Sequence, residues 1–326
     1  VASVLEQLQG FEAAAVTWEP ELIARRVDHY SRAGLDRLCH AGETAWLRLA
    51  PSSRDPDGPA TAPSKATPIT LVFRSDLPWL LAAARAGGDA IRPEVGATAE
   101  ILEVLDTRGA CFAADLVAAT RRLPDDIERA LWDAVARGLV MCDGFEAIRA
   151  RVAGTRSVAR PRRFAHASRR AGTTAPSAGR WSLVPTGASA SGAGVDGPGL
   201  DGHDLAEAVA EQLLNRWGVV FRDLAVRDSL RLPWRELQWA LRRLEDRGLV
   251  RGGRFVSGFS GEQYALPAAL DQLARVRKQP KSGERVAINA TDPLNLVGVI
   301  VPGDTVPAVR TNHVVYLDGI PEPVSP

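Results

Sequence analysis

The sequence predicts a mixed α+β chain in which one helical unit with a trailing hairpin recurs. Three observations point that way. A pattern of apolar residues appears at 124–140 (PDDIERALWDAVARGLV) and again at 234–250 (WRELQWALRRLEDRGLV). Both copies end on a glycine followed by an apolar pair. Short strand-like runs, such as Ile-Thr-Leu-Val-Phe at 69–73, are bounded by turn-forming residues.

Anchored on Gly138 and Gly248, the copies match Ile127 with Leu237, Ala130 with Ala240, Leu131 with Leu241, Ala134 with Leu244 and Arg137 with Arg247. These apolar positions recur at helical spacing, so one stripe packs inward. The glycine falls where a helix C-terminus takes a left-handed residue. Upstream, each copy carries a glycine and then a phenylalanine, Gly109 with Phe112 and Gly218 with Phe221, preceded by amphipathic runs at 99–107 and 204–217. Helix, short helix, helix, strand, strand is the order of a winged helix. A weaker third copy places Leu35, Leu38 and Gly42 on the same offsets, with Trp46 and Leu47 starting a strand. Its hairpin is stretched by the Pro-, Ser-, Ala- and Asp-rich 51–68 and returns at 69–73.

The organisation expected is therefore a degenerate winged helix with a long hairpin loop and strand at 1–97, and a winged helix with an acidic third helix at 98–150. An Arg-rich, then Gly/Ala/Ser-rich linker follows at 151–202, then a winged helix with a basic third helix at 203–278 and a β-rich, barrel-like segment at 279–326. In that last segment Leu294, Leu296, Val299, Val301 and Val315 are expected to face an apolar interior, with Asp318-Gly319 closing a tight turn.

With 40 basic and 39 acidic residues the net charge is +1, so any nucleic-acid surface must be local. Lys65, Lys278 and Lys281 are the only lysines. Arginine suits bidentate phosphate contacts, although an Ala- and Arg-rich composition equally follows from genomic base composition. Cys39, Cys111 and Cys142 form no C-x-x-C pair and, being odd in number, no disulfide framework, which fits a reducing, cytoplasmic setting. No apolar stretch approaches a membrane span, and no signal peptide opens the chain. The chain starts Val-Ala-Ser and has Met141 as its one methionine, which reads as a piece of something longer.

The third helix of a winged helix commonly enters the major groove. In the last copy its face carries Arg235, Gln238, Trp239, Arg242 and Arg243, with Arg251 and Arg254 added near a wing tip placed at Gly252-Gly253. Arginine and glutamine contact phosphates or base edges, and tryptophan stacks on an unpaired base. The competing reading is a solvated face on which Glu236, Glu245 and Asp246 pair the arginines. The middle copy carries Asp125, Asp126, Glu128, Arg129 and Asp133 instead, which would repel phosphate and suggests a scaffold. Arg149, Arg151, Arg156, Arg160, Arg162, Arg163, Arg169 and Arg170 form a second basic stretch, read equally as a phosphate-binding strand or a solvated linker. Trp181, inside the linker, is expected to dock on a neighbouring domain.

No P-loop, no G-x-G-x-x-G after a strand and no zinc spacing occurs, and no catalytic or metal-binding residue is assigned. Ser260 is read as a turn residue. Asp292 and Asp318 are the only arguable carboxylates for base excision, and Asp-Pro and Asp-Gly are also ordinary turn chemistry.

RGGRFVSGFSGEQYALP at 251–267 and ATDPLNLVG at 290–298 resemble the C-terminal region of the bacterial Lhr, or large helicase-related, proteins. Phe-Arg-Asp-Leu at 221–224, Pro-Trp-Arg-Glu-Leu at 233–237, Ala-Leu-Trp-Asp at 130–133 and residues 25–46 carry the same resemblance. It implies an ATP-dependent translocase that unwinds DNA and RNA:DNA hybrids in DNA repair, with ATP and Mg serving N-terminal motor domains whose motifs are absent here. It further implies a C-terminal extension of tandem winged helices and a β-barrel-like module. That extension forms homo-oligomers and is related to winged-helix DNA glycosylases that excise uracil or damaged bases. The partners implied are DNA, single-stranded or as RNA:DNA hybrid, and the helicase motor of the same chain. Those glycosylases use a Gln-x-Gln motif; here Gln7-Leu8-Gln9 alone has that spacing, in a terminal helix-like run.

Overall fold

The structure, a computed structural model, describes residues 1–50, 58, 64–154, 179–185 and 202–322. Two compact units emerge. The first comprises Val1–Leu5, Glu12–Ser75 and Gly88–Thr186, the second Glu6–Phe11, Asp76–Gly87 and Gly187–Pro326.

The chain opens with α1 (Ala2–Leu8), β1 (Ala13–Ala14), a π-helical turn at Trp18–Ile23 and α2 (Arg32–His40). Gly42, at φ 74°, ends α2 in the left-handed region and turns the chain into β2 (Thr44–Leu47), which pairs antiparallel with β3 (Pro68–Phe73). Helix α3 (Leu77–Ala84) belongs to the second unit. The middle copy follows as α4 (Gly96–Arg108), α5 (Ala113–Thr120), α6 (Pro124–Arg137) and β4 (Val140–Cys142). After α7 (Glu146–Ala153), β5 (Trp181–Leu183) pairs antiparallel with β4. Residues 181–183, expected in a linker, are thus the second wing strand of the middle copy, separated from the first by a long insertion. Trp181 lies in the core of its own unit.

The first unit's sheet runs β1-β3-β2-β4-β5. Its central seam joins the two wings, with Trp46 opposite Cys142 and Leu47 opposite Met141. One sheet therefore serves both copies. Trp46 stacks on Trp132 of α6 at 5.7 Å between ring centroids and meets Trp181 edge-on at 5.4 Å. The Trp46 indole donates to the Gly144 carbonyl at 2.9 Å and Trp18 to that of Ile69 at 2.8 Å, so two buried N–H groups are satisfied. Arg149 and Arg151, read in sequence as part of a basic stretch that either binds phosphate or is a solvated linker, are instead paired within the unit, Arg149 with Glu19, Asp36 and Glu146, and Arg151 with Glu128. Arg156, Arg160, Arg162, Arg163, Arg169 and Arg170 lie outside the described residues, as do 51–57 and 59–63 of the long loop.

In the second unit α8 (Gly202–Trp217), β6 (Val219–Val220), α9 (Arg222–Ala225), α10 (Trp234–Asp246), β7 (Arg251–Gly253) and β8 (Gln263–Ala265) form a winged helix with sheet order β6-β8-β7. The same order, β1-β3-β2, recurs in the first copy. Helix α3 packs on α8. Arg216 of α8 is buried against Asp228 and donates to the Gln9 carbonyl at 2.6 Å, which fixes the 6–11 segment on α8. Gln9 itself bonds Asp76 at 2.8 Å, and Gln7 donates to the Asn215 carbonyl. Helix α11 (Pro267–Lys278) follows and buries none of its residues.

The C-terminal segment is a three-stranded antiparallel sheet, β9 (Arg285–Asn289), β10 (His313–Leu317) and β11 (Ile320–Pro321), ordered β11-β10-β9. No closed barrel is present among the described residues. The strand phase also differs from expectation. Val314, Val297, Val306 and Ala290 form the buried cluster, whereas Leu294 is exposed and Val315 only partly covered. Leu296 and Ile300 pack instead against the winged-helix cluster of Val219, Phe221, Leu224 and Ala265. Asp318 and Gly319, at φ 48° and 79°, close the β10–β11 turn as their chemistry predicts.

Candidate nucleic-acid interface

Helix α10 buries Leu237, Ala240, Leu241 and Leu244, one stripe of a strongly amphipathic helix. Gly248, at φ 75°, ends it and Val250 leads into the wing. The opposite face is open and carries the candidates. Arg235 lays its guanidinium over the Trp239 ring at 4.6 Å from the centroid, and Trp239 keeps 44% of its surface exposed. Gly202, His203, Ala206, Glu236 and Trp239 line a shallow cleft of about 350 Å3 beside that ring.

The other candidates divide in two. Gln238 and Arg242 both donate to Glu262 at 2.9 Å, and Arg243 donates to the His203 carbonyl at 2.9 Å and pairs with Glu207 at 3.6 Å. The counter-charges therefore come from the wing and from α8, not from Glu236, Glu245 and Asp246 on α10 itself. Glu245 accepts the Gly252 N–H at 2.8 Å and holds the wing to the helix. Arg251 and Arg254 are exposed, with no ion pair among the described residues. The wing tip is not at Gly252-Gly253, which lie within β7; it is the 254–262 loop. Gln263 closes that loop by accepting from Phe255 N–H and Val256 N–H and donating to the Val256 carbonyl.

Glu262 is the residue the sequence reading missed. Bonds from the Tyr264 hydroxyl, then Arg242 and Gln238, hold its carboxyl below the usual carboxylate range. Burial, then the bond to Glu262, pushes the Tyr264 hydroxyl up to about 12.

The middle copy presents no such face. From Ala130 to Val140 every residue is buried, and Asp133 accepts from Thr98 at 2.8 Å and Arg137 at 2.9 Å. Glu128 and Asp133, expected on an acidic solvent face, point inward; Asp125 remains exposed. The arguable catalytic carboxylates are both turn residues. Asp292 is buried and accepts the Leu294 N–H at 2.8 Å. Asp318 Oδ1 accepts the N–H groups of Ser282, Gly283 and Glu284 at 3.1, 3.0 and 3.1 Å.

A family model described as "Large helicase-related protein, winged-helix domain" and labelled the fourth such domain matches residues 200–285. A second with the same description, labelled the third, matches residues 1–73. The chain is similar to the Lhr helicase/uracil glycosylase of Escherichia coli (strain K12), 27% identical over 334 residues, 94% of this chain and 20% of that protein. It is 28% identical over 317 residues to the Lhr helicase/probable uracil glycosylase of Mycolicibacterium smegmatis, 91% of this chain and 19% of that protein. The chain thus spans about a fifth of the length of these relatives. Among the described residues no helix is long and apolar enough to cross a membrane. Through these two winged-helix matches, at residues 1–73 and 200–285, the chain is similar to the C-terminal part of the Lhr, or large helicase-related, proteins.

Proposed function

We propose that this chain is the nucleic-acid-binding and assembly module of an Lhr-type, ATP-dependent DNA or RNA:DNA helicase in DNA repair. The motor that would use ATP and Mg lies outside these residues. The observation carrying the reading is the Arg235–Trp239 stack on the open face of α10, with Arg251 and Arg254 exposed on the wing that follows. A guanidinium covering one face of an exposed indole leaves the ring's remaining surface, beside the cleft, for a base. Arginines around it meet the phosphates on either side. Fluorescence anisotropy with single-stranded DNA, duplex and RNA:DNA hybrid tests this. Trp239→Ala should weaken single-strand binding by about 1–3 kcal/mol, the worth of one base–aromatic stack. Arg235→Glu with Arg251→Glu should weaken binding further and flatten its salt dependence. Binding by these variants indistinguishable from wild type would sink the reading. Assembly means self-association, read by sedimentation of the same protein.

A second reading, excision of uracil or another base, is favoured by the names of the two relatives. It requires a carboxylate or amide near a flipped nucleotide. Asp292 and Asp318 are engaged in turns, and Gln9 is buried against Asp76 and Gln212, so none of them is presented to a substrate. Strand cleavage after alkali on a uracil-containing oligonucleotide decides it. The expected result is no cleavage. A wild-type signal lost in Asp292→Asn or Asp318→Asn would put excision first.

A further inference from the structure

We infer that Arg242, Gln238 and Tyr264 form a site for one backbone phosphate of a nucleic acid, and that the Glu262 carboxylate fills this site in the free chain. The inference rests on the reading of α10 as a nucleic-acid face and adds to it the place of a phosphate. Three donors from two elements converge on a single oxygen. The guanidinium of Arg242 and the amide of Gln238, one helical turn apart on α10, reach Glu262 Oε2 at 2.9 Å each, and the Tyr264 hydroxyl of β8 reaches it at 2.8 Å. A surface ion pair needs one donor from one partner. A guanidinium, an amide and a phenol aimed at one point make a pocket for an anionic oxygen, and a non-bridging phosphate oxygen accepts the same set. Tyr264 is 1% exposed and lies in β8, so that donor is fixed in place by the sheet.

Exposure makes the carboxylate exchangeable. The side chains of Arg242 and Glu262 are 52% and 51% exposed, so Glu262 can rotate into water. Exposed ion pairs contribute little net stability, so a phosphodiester replacing the carboxylate loses little. Position supports the same ligand. Arg235, Trp239 and Arg242 follow one another at helical spacing along one face, which brings a phosphate of a strand stacked on Trp239 toward Arg242. The bonds from Tyr264, Arg242 and Gln238 that hold the Glu262 carboxyl below its usual range keep the competing carboxylate charged at neutral pH.

The test is anisotropy with a single-stranded oligonucleotide across a salt series, using wild type, Glu262→Ala, Arg242→Ala, the double variant and Asp246→Asn. Freeing the site should tighten binding about fivefold at about 0.1 M salt and steepen the log–log salt slope by about 0.7, one added phosphate contact. Arg242→Ala alone should change affinity less, because that arginine is already occupied. In the double variant the gain from Glu262→Ala should vanish. Asp246→Asn removes one exposed negative charge from α10 without freeing a donor, and should leave the slope alone. Glu262→Gln keeps an acceptor for all three donors, preserves the fold should alanine disturb it, and should give part of the gain. A gain that survives loss of Arg242, or an equal gain and slope change in Asp246→Asn, reduces the effect to simple charge removal and overturns the inference. If wild type binds through Trp239 but Glu262→Ala does not tighten it, this inference alone fails. If wild type binds no nucleic acid, the reading of α10 fails with it.

Discussion

Helices α6 and α10 carry the same inward stripe. Ile127 and Leu237, Ala130 and Ala240, Leu131 and Leu241, and Ala134 and Leu244 are all buried. On their outer faces, matched positions part. Trp132 is buried where Arg242 is exposed, and Asp133 is buried where Arg243 is half exposed. After the capping glycine, Leu139 is 6% exposed and Leu249 51%. The wings explain the difference. In the first unit β4 pairs with β2, so two wings share one sheet and Trp46 covers the outer face of α6. In the second unit the sheet stops at β7, and the outer face of α10 keeps Trp239 44% and the Arg242 side chain 52% exposed. A winged helix reads as a binder or as a scaffold according to whether its wing edge is already paired.

The largest expected effect tests the closed side of this contrast. Trp132→Ala should cost the first unit about 3–5 kcal/mol, since it empties a packed indole site. Trp239→Ala, on the open face of α10, should leave stability nearly unchanged and act on binding. Asp133→Arg should also be severe, because it would strand Thr98 and Arg137 and bury a second cation. Reading Asp133 as a surface residue leads to the opposite expectation, that its reversal is harmless. Urea unfolding of the three variants checks all of this. Equal stability losses in Trp132→Ala and Trp239→Ala would break the comparison.

The next effect separates internal charge from surface charge. Burial raises the Glu19 carboxyl, but bonds from Arg149 and Tyr30 and the charges of Arg149 and Arg32 outweigh it and hold Glu19 below its ordinary 4.5. A carboxylate lowered on folding contributes stability that is complete above the unfolded value and is lost as pH falls through the folded one. The first unit should therefore weaken as pH drops below about 4.5. Glu19→Gln should be less stable at neutral pH and lack that acid-dependent loss. Urea midpoints measured from pH 7 to pH 3 report it, and a wild-type profile unchanged in Glu19→Gln would remove Glu19 as the cause.

What the sequence disclosed follows from the range of each interaction. The repeat was legible because an inward stripe and its C-terminal glycine are local, as Gly138 and Gly248 are to α6 and α10. The burial of Asp133 was not, because a helical period identifies one buried face and cannot report that Trp46, far away in sequence, covers the other. Trp181 was hidden for the same reason, since its strand pairs with Cys142 across a stretch of loop-like composition. The phase of β10 was missed because His-Val-Val-Tyr-Leu has no polar alternation to say whether Val314 or Val315 points inward. The candidate face on α10 could be named from sequence, but not that Glu262 ties up Gln238 and Arg242, a contact set by the wing's fold.

The smallest expected effect concerns Asp318, a carboxylate that is fully hydrogen-bonded like Asp133 but lies at the surface. Desolvation raises it, but the N–H groups of Ser282, Glu284 and Gly283 and the Ser282 hydroxyl together outweigh that and hold it below its usual range. Three successive N–H groups around one anionic oxygen form a nest, which ties the end of the 279–284 segment to the β10–β11 turn. Asp318→Asn keeps an Oδ1 acceptor and tolerates the positive φ, so it should loosen the nest only slightly. Asp318→Ala removes the acceptor and disfavours the turn, so it should loosen it more. Amide hydrogen exchange at 282–284 is the sensitive readout, with rates rising from wild type to Asn to Ala while the amides of α10 stay unchanged. If exchange at 282–284 is the same in all three proteins, Asp318 is not what orders that segment, and its carboxylate is free for another task.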